Sequence, residues 1–232
     1  MSAPDSSKLA KQGVKFEVLK EEHVKECIEV VVEAFARGEP ACSHISHEAM
    51  RFFAEYYLRL TAVDGMSTVC VDSTGQVLGA MITNDFTFSE SEDFLAELEK
   101  RWGSDVPQLF ELVEQGDESI MAEFQAKGDL EPGNVWHMWM LAVRTNATGH
   151  GIGSQLVEHN LSMARARNYK VALSECTNIL SVKCFEKCGF RRFSSFPYGS
   201  FEFPKGSGQF PMREKWGNVE GFKSWDVELL RI

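Results

Sequence analysis

The chain lacks the long apolar runs, the basic surplus and the paired cysteines that would send it to a membrane, to nucleic acid or to a redox site. No apolar stretch approaches the roughly 18 residues of a membrane span. Lysine and arginine number 24 against 34 aspartates and glutamates, a net charge of −10, which argues against a nucleic-acid partner needing a basic face. None of the six cysteines forms a CxxC pair, and three lie inside apolar strand-like or helix-like patterns, as reduced buried thiols do. No histidine–carboxylate spacing suggests a metal site. The first residues, MSAPDSSKLAKQ, have no continuous apolar segment of the secretory kind. These absences imply a cytoplasmic chain with residues 1–12 as a flexible start and 13–232 as one domain. Nothing in them fixes an oligomeric state; a monomer is expected.

What is present reads as alternating strands and helices. VKFEVLK alternates Val14, Phe16 and Val18 as a strand does. EEHVKECIEVVVEAFA then places Val24, Cys27, Ile28, Val31, Val32 and Phe35 at helical spacing and stops near Gly38 and Pro40. Ser46 is placed to cap a second helix. STVCVDSTGQVLGAMITND reads as a hairpin, and residues 90–130 as an acidic helical insertion. NVWHMWMLAV is a buried strand, followed by a helix from Gly153, the strand KVALSEC and the helix NILSVKCFEKC, which Gly189 closes in a left-handed stop. RRFSSFP, a glycine-rich loop and WDVELLRI finish the chain. The order predicts an α/β fold: a mixed sheet of about six to seven strands flanked by helices, with the insertion between the third and fourth strands.

RTNATGHGIGSQLVEHN puts glycines at 149, 151 and 153 between the buried strand and a helix start. The first turn of a helix has amides without intrahelical partners and carries the positive end of the macrodipole, so a turn stripped of Cβ atoms there suits a pyrophosphate. It is not a Walker loop, which needs Gly-Lys-Ser/Thr, nor the dinucleotide spacing G-x-G-x-x-G. Taken alone, such a turn is as often structural as functional.

The flanks add the rest. LAV-RTNAT-GHGIGS, and then Asn178-Ile-Leu-Ser181-Val-Lys-Cys-Phe185-Glu186-Lys187-Cys188-Gly189-Phe190, resemble the two halves of the acetyl-CoA site in the Gcn5-related N-acetyltransferase (GNAT) superfamily. The resemblance implies that family's fold, an acetyl-CoA core over about 134–193, and direct attack of an amine on the thioester within a ternary complex. It places the strand against the pantetheine arm, with backbone donors at Leu141 and Val143, and cofactor contacts also at Ala142, Thr148, Gly149, His150, Gly151, Ile152, Gly153, Ser154 and Asn178. Two departures stand out. Thr148 replaces the family's usual arginine or glutamine, and Phe185 stands where many members carry a tyrosine that protonates the departing thiolate. A thiol with a pKa of about 8.5 leaves near neutral pH with little help.

An alkylamine with a pKa near 10.4 is neutral in only roughly one molecule in a few thousand at pH 7, so a base is needed. Four residues are candidates by resemblance to arylalkylamine N-acetyltransferases. Glu39 matches the glutamate of the insect enzymes' Glu-Pro segment, although a solvated loop acid would look the same. Ser181 and Thr177 match hydroxyl positions of the second motif, with a helix cap as the duller account of Thr177. His137 aligns with the first histidine of the vertebrate enzymes' H-x-H-A-L-A-V strand, with a satisfied core histidine as the alternative. Phe35, Phe52, Phe53, Tyr56, Tyr57, Trp136 and Trp139 could surround an aryl or cationic acceptor. The expected reaction is acetyl transfer to the primary amine of an arylalkylamine. The alternatives are a polyamine or diamine, a protein N-terminus or lysine, and a silent CoA-binding domain.

Overall fold

The computed structural model describes residues 13–35, 39–42, 45–103, 105–216 and 219–232. The expected start over 1–12 lies outside them. Seven strands and six α-helices follow the order read from the sequence: β1 (Lys15–Val18), α1 (Glu21–Phe35), α2 (His47–Asp64), β2 (Thr68–Val71), β3 (Val77–Asp85), α3 (Glu92–Trp102), α4 (Asp105–Lys127), β4 (Val135–Val143), α5 (Ile152–Ala166), β5 (Val171–Cys176), α6 (Ile179–Lys187), β6 (Arg191–Pro197) and β7 (Ser224–Arg231). The insertion between β3 and β4 is the helix pair α3 and α4. The sheet order is β1-β2-β3-β4-β5-β7-β6, antiparallel throughout except for the β4–β5 pair.

Local chemistry sets the ends of these elements. The Ser46 hydroxyl accepts the Ala49 amide at 3.1 Å to open α2, and Gly65 closes it in the left-handed region. Gly189, at φ +99°, follows α6 as expected. Along β5 the side chains alternate between two apolar layers. Val171 and Leu173 face α1, α2 and the insertion helices, while Ala172 and Cys176 face α5 and α6. Asn160 pins α5 to the sheet from within: it accepts from the Thr83 hydroxyl at 3.0 Å and the Trp136 indole at 2.5 Å, and donates to the Met66 carbonyl at 2.9 Å.

Two irregularities of β4 position the site. Thr83 lies opposite Met138 and Ile82 opposite Met140, so Trp139 is the extra residue of a bulge. In addition, β4 pairs with β5 only through Val135, Trp136 and His137. Beyond His137 the two strands part, and the Ser174 hydroxyl closes the corner by donating to the Met138 carbonyl at 2.9 Å.

Candidate active site

The parted strands open into a cleft of about 680 Å³, within the size range of small-molecule sites. One wall is the glycine turn. Gly149 and Gly151 adopt φ of +80° and +84°, a region that side chains rarely enter, and a Cβ on either would meet only open space. Gly151 opens α5 without a side-chain cap. The amides of Ile152, Gly153 and Ser154 therefore have no partner within the helix, whose first bond runs from the Gln155 amide to the Gly151 carbonyl. Gly153 serves packing instead: a Cβ there would lie 3.3 Å from Cys184 Sγ and 3.6 Å from Leu141 Cδ2. An open, bare helix start of this kind fits a diphosphate.

The bulged strand forms the floor. The Arg144 amide donates to the Leu78 carbonyl of β3 at 2.8 Å. Amide direction alternates along a strand, so Met140 and Ala142 also face β3, while the Leu141 and Val143 amides face the opening. Leu141 and Val143 line the cleft. Ala142 departs from the expected set, because its amide is turned to β3 and its side chain is buried in the core. His150 departs too. It is exposed and outside the cleft lining, although Ala147 to Gly149 and Gly151 to Ser154 on either side of it line the cleft.

Across the opening stands Glu39. It lines the cleft with Ala41 and Cys42, in a turn where the Cys42 amide donates to the Glu39 carbonyl. Arg144 fastens α1, which leads toward this turn, to the sheet: its side chain donates to the Val77 carbonyl at 2.7 Å and lies 3.6 Å from both Glu26 and Glu33. Asn178 Nδ2 donates to Glu39 Oε2 at 2.9 Å, and Oε1 is buried without a hydrogen-bond partner. Burial pushes the Glu39 carboxyl above its ordinary range, against the opposing pull of Thr177, Asn178 and the Ala41 amide. The group is thus a carboxylate with one lone-pair face uncommitted, in a cavity, at raised basicity.

The other sequence candidates separate. Asn178, not Thr177, caps α6: its Oδ1 accepts the Leu180 and Ser181 amides at 2.9 and 3.1 Å. With Oδ1 on the helix and Nδ2 on Glu39, Asn178 positions the acid, and both polar atoms are committed within the protein. Thr177 lines the cleft, and its carbonyl accepts the Tyr198 hydroxyl at 3.0 Å. Ser181 also lines the cleft, with its hydroxyl donated to the Asn178 carbonyl at 2.8 Å. His137 lies behind the lining, its Nε2 2.8 Å from Glu175 Oε2 and its ring against Phe86 and Trp139. Of the expected aromatics, Phe35, Phe53 and Trp139 reach the cleft. Phe52 and Tyr56 instead stack on Phe94 of α3, Tyr57 is buried in the same cluster, and Trp136 is held by Asn160 on the opposite face of the sheet.

Several lining residues escaped the sequence reading. Lys183 and Lys187, one helical turn apart on α6, bring positive charge to the cleft lining, where Thr148 offers none. Their i, i+4 spacing was a usable signal. Trp225 had none, because nothing local ties it to the motif, and Glu175 sat within a strand read only for its apolar pattern. Among the described residues no cluster of three or more histidines, cysteines or acids is arranged to hold a metal, and no helix is long and apolar enough to cross a membrane.

The fold has counterparts among known proteins. Arylalkylamine N-acetyltransferase 2 from Aedes aegypti superposes with a TM-score of 0.74 at 16% identity, covering 94% of this chain and 99% of that one. A Drosophila melanogaster polyamine N-acetyltransferase that forms N-acetylagmatine gives 0.74 at 15%, over 94% and 100%. The C-terminal condensation domain of Ebony, in complex with β-alanyl-dopamine, gives 0.74 at 14%, over 94% and 99%. The family model of the GNAT acetyltransferases matches residues 32–190, from the helix before Glu39 through the glycine turn to the end of the second motif. The chain therefore belongs to the acetyltransferase (GNAT) family, as an N-acetyltransferase that takes its acetyl group from acetyl-CoA.

Proposed function

We propose that this acetyltransferase acts on the primary amine of a small arylalkylamine, with Glu39 as the proton acceptor. The observation that carries the reading is the Glu39 carboxylate: buried, raised in basicity, with Oε1 unpartnered, and in the lining of the same cleft as the glycine turn. Bound acetyl-CoA supplies an activated acyl group and a thiolate leaving group. The Ile152, Gly153 and Ser154 amides hold its diphosphate, with Lys183 and Lys187 adding charge. The Leu141 and Val143 amides align the pantetheine arm and stand near the developing oxyanion. Glu39 Oε1 removes the proton from the attacking nitrogen, and Asn178 keeps the carboxylate oriented. Phe35, Phe53, Trp139 and Trp225 supply an aromatic acceptor wall. His137 is left as a second-rank relay through Glu175. Ser181 and Thr177 are the hydroxyl candidates for proton relay, both in the cleft lining, where Phe185 has no hydroxyl to give.

The related folds include both arylalkylamine and polyamine acetyltransferases, so a diamine acceptor is the second reading. A turnover panel with acetyl-CoA decides between them. Tyramine, dopamine or tryptamine acetylated in preference to putrescine, agmatine and spermidine supports the aryl reading. The reverse preference refutes it, and turnover of none of these amines removes the small-amine class.

A further inference from the structure

The side-chain donors that hold Glu39 sit on one corner of the chain. β5 ends at Cys176, opposite Asp226, so Thr177 and Asn178 lie beyond the last rung of the sheet and before α6. Both reach Glu39: Asn178 Nδ2 donates to Oε2 at 2.9 Å, and the Thr177 side chain hydrogen-bonds the same carboxyl. The segment after β6 meets this corner twice. The Tyr198 hydroxyl donates to the Thr177 carbonyl at 3.0 Å, and the Gly221 carbonyl accepts the Ile179 amide at 2.8 Å. The Tyr198 amide donates to the Lys223 carbonyl at 2.9 Å, which ties the two ends of that segment together. Residues 177 and 179 are thus clamped on either side of Asn178.

We infer that Tyr198 is a positioning residue for the proton acceptor, fixing through the Thr177 carbonyl the corner that presents Asn178 to Glu39. This rests on the reading of Glu39 given above. Tyr198 is outside the cleft lining, and its ring is wholly buried in the same apolar cluster as Phe201 and Trp225. A phenylalanine would pack there as well, so the hydroxyl is the informative part. A main-chain carbonyl beyond the end of a ladder needs a donor from elsewhere. Tyr198 supplies it to Thr177 from 21 residues away.

The groups around Glu39 make the consequence readable. Among the described residues, Cys42 of its own turn and Tyr198 are the titratable groups facing it. Burial first and Glu39 second hold both well above their ordinary ranges, so the thiol stays protonated and the phenol stays a donor at any working pH. What titrates is Glu39 itself. Burial raises it, and the hydrogen bonds from Thr177 and Asn178 pull against that. A loosened corner weakens those bonds, disfavours the carboxylate and moves its titration upward. The second grip is equally close: Gly221 has a φ of +80°, and a Cβ there would lie 2.9 Å from Ile179 Cγ2.

The test is the pH profile of kcat/KM for Tyr198→Phe, using the full chain, acetyl-CoA and the most rapidly acetylated amine of the panel above, with Glu39→Gln as the reference. The phenylalanine keeps the ring and removes the hydroxyl. Its acid limb, the fall in activity at low pH, should lie at higher pH than in the wild type. At pH 7 kcat/KM should drop about three- to tenfold, with CoA affinity unchanged by calorimetry. In an Asn178→Ser background the same substitution should add little, because both act on one bond. Gly221→Ala disturbs the other grip and leaves Tyr198 intact. It should shift the limb in the same direction, and it carries the test if Tyr198→Phe fails to fold. A lowered Tm with the limb in place would mean that Tyr198 only packs, and would overturn the inference, as would full additivity with Asn178→Ser. A limb lost in Glu39→Gln but unmoved in Tyr198→Phe defeats the inference alone. A limb retained in Glu39→Gln, or turnover of no amine, removes the Glu39 reading itself and the inference with it.

Discussion

From Thr148 to Ser154 the cleft is bounded by main chain: two glycines in left-handed conformations and a helix start whose amides point outward. From Glu39 to Trp225 it is bounded by side chains, a carboxylate clamped by Asn178, three further aromatics and a second acid deeper in. A diphosphate is the same in every molecule of CoA, so on the proposed reading a backbone cradle would serve it without an arginine or glutamine at 148. An acceptor amine differs from enzyme to enzyme, and only side chains can follow it. The two halves should accordingly fail in different ways.

The largest expected effect is on the acceptor half. Glu39→Gln should lower kcat at pH 7 by about 10²- to 10⁴-fold, the usual contribution of a positioned base, while calorimetry finds CoA binding unchanged. In the wild type the base must be ionised to work. Activity should therefore fall as pH drops through the raised Glu39 pKa and rise above it, and this acid limb should vanish in Glu39→Gln. A retained limb would return the proton to another group. Gly151→Val should break the donor half instead. Forcing a β-branched residue to φ +84° costs about 1–3 kcal/mol, visible as a lowered Tm, and CoA affinity should fall about tenfold or more. Unaltered CoA affinity would mean that the turn is a connector only. The smallest effect comes at the joint between the halves. Asn178→Ser keeps an oxygen to cap α6 but loses the donor to Glu39. Without that bond the charged form is less favoured, so the acid limb should move to higher pH and kcat/KM at pH 7 should fall about three- to tenfold, with little change in Tm.

The same contrast explains what the sequence discloses. The donor half is written in one stretch, because a strand, a bare turn and a helix start must follow one another to make a cradle. Residues 134–193 therefore carry both the fold of that half and its chemistry. Caps such as Ser46 and stops such as Gly189 were legible for the same reason, being local. The acceptor half is assembled from distant segments. The Trp225 indole bonds an aspartate 108 residues away, and a mid-helix glycine makes its room. Nothing about Gly116 or Asp117 marks them in sequence. The aromatic residues of α2 were visible but ambiguous, and the insertion took Phe52 and Tyr56 for its own packing on Phe94. Asn178 was recognisable as part of the motif, whereas its duty toward Glu39 depends on a turn 139 positions earlier.

The parting of β4 from β5 has a mechanical meaning. Three residue pairs, from Val135–Val171 to His137–Leu173, stitch the left and right portions of the sheet together along that seam. On the proposed reading, an amide-bearing co-substrate in the gap would supply rungs that β5 does not, and the seam would gain hydrogen bonds from the molecule it processes.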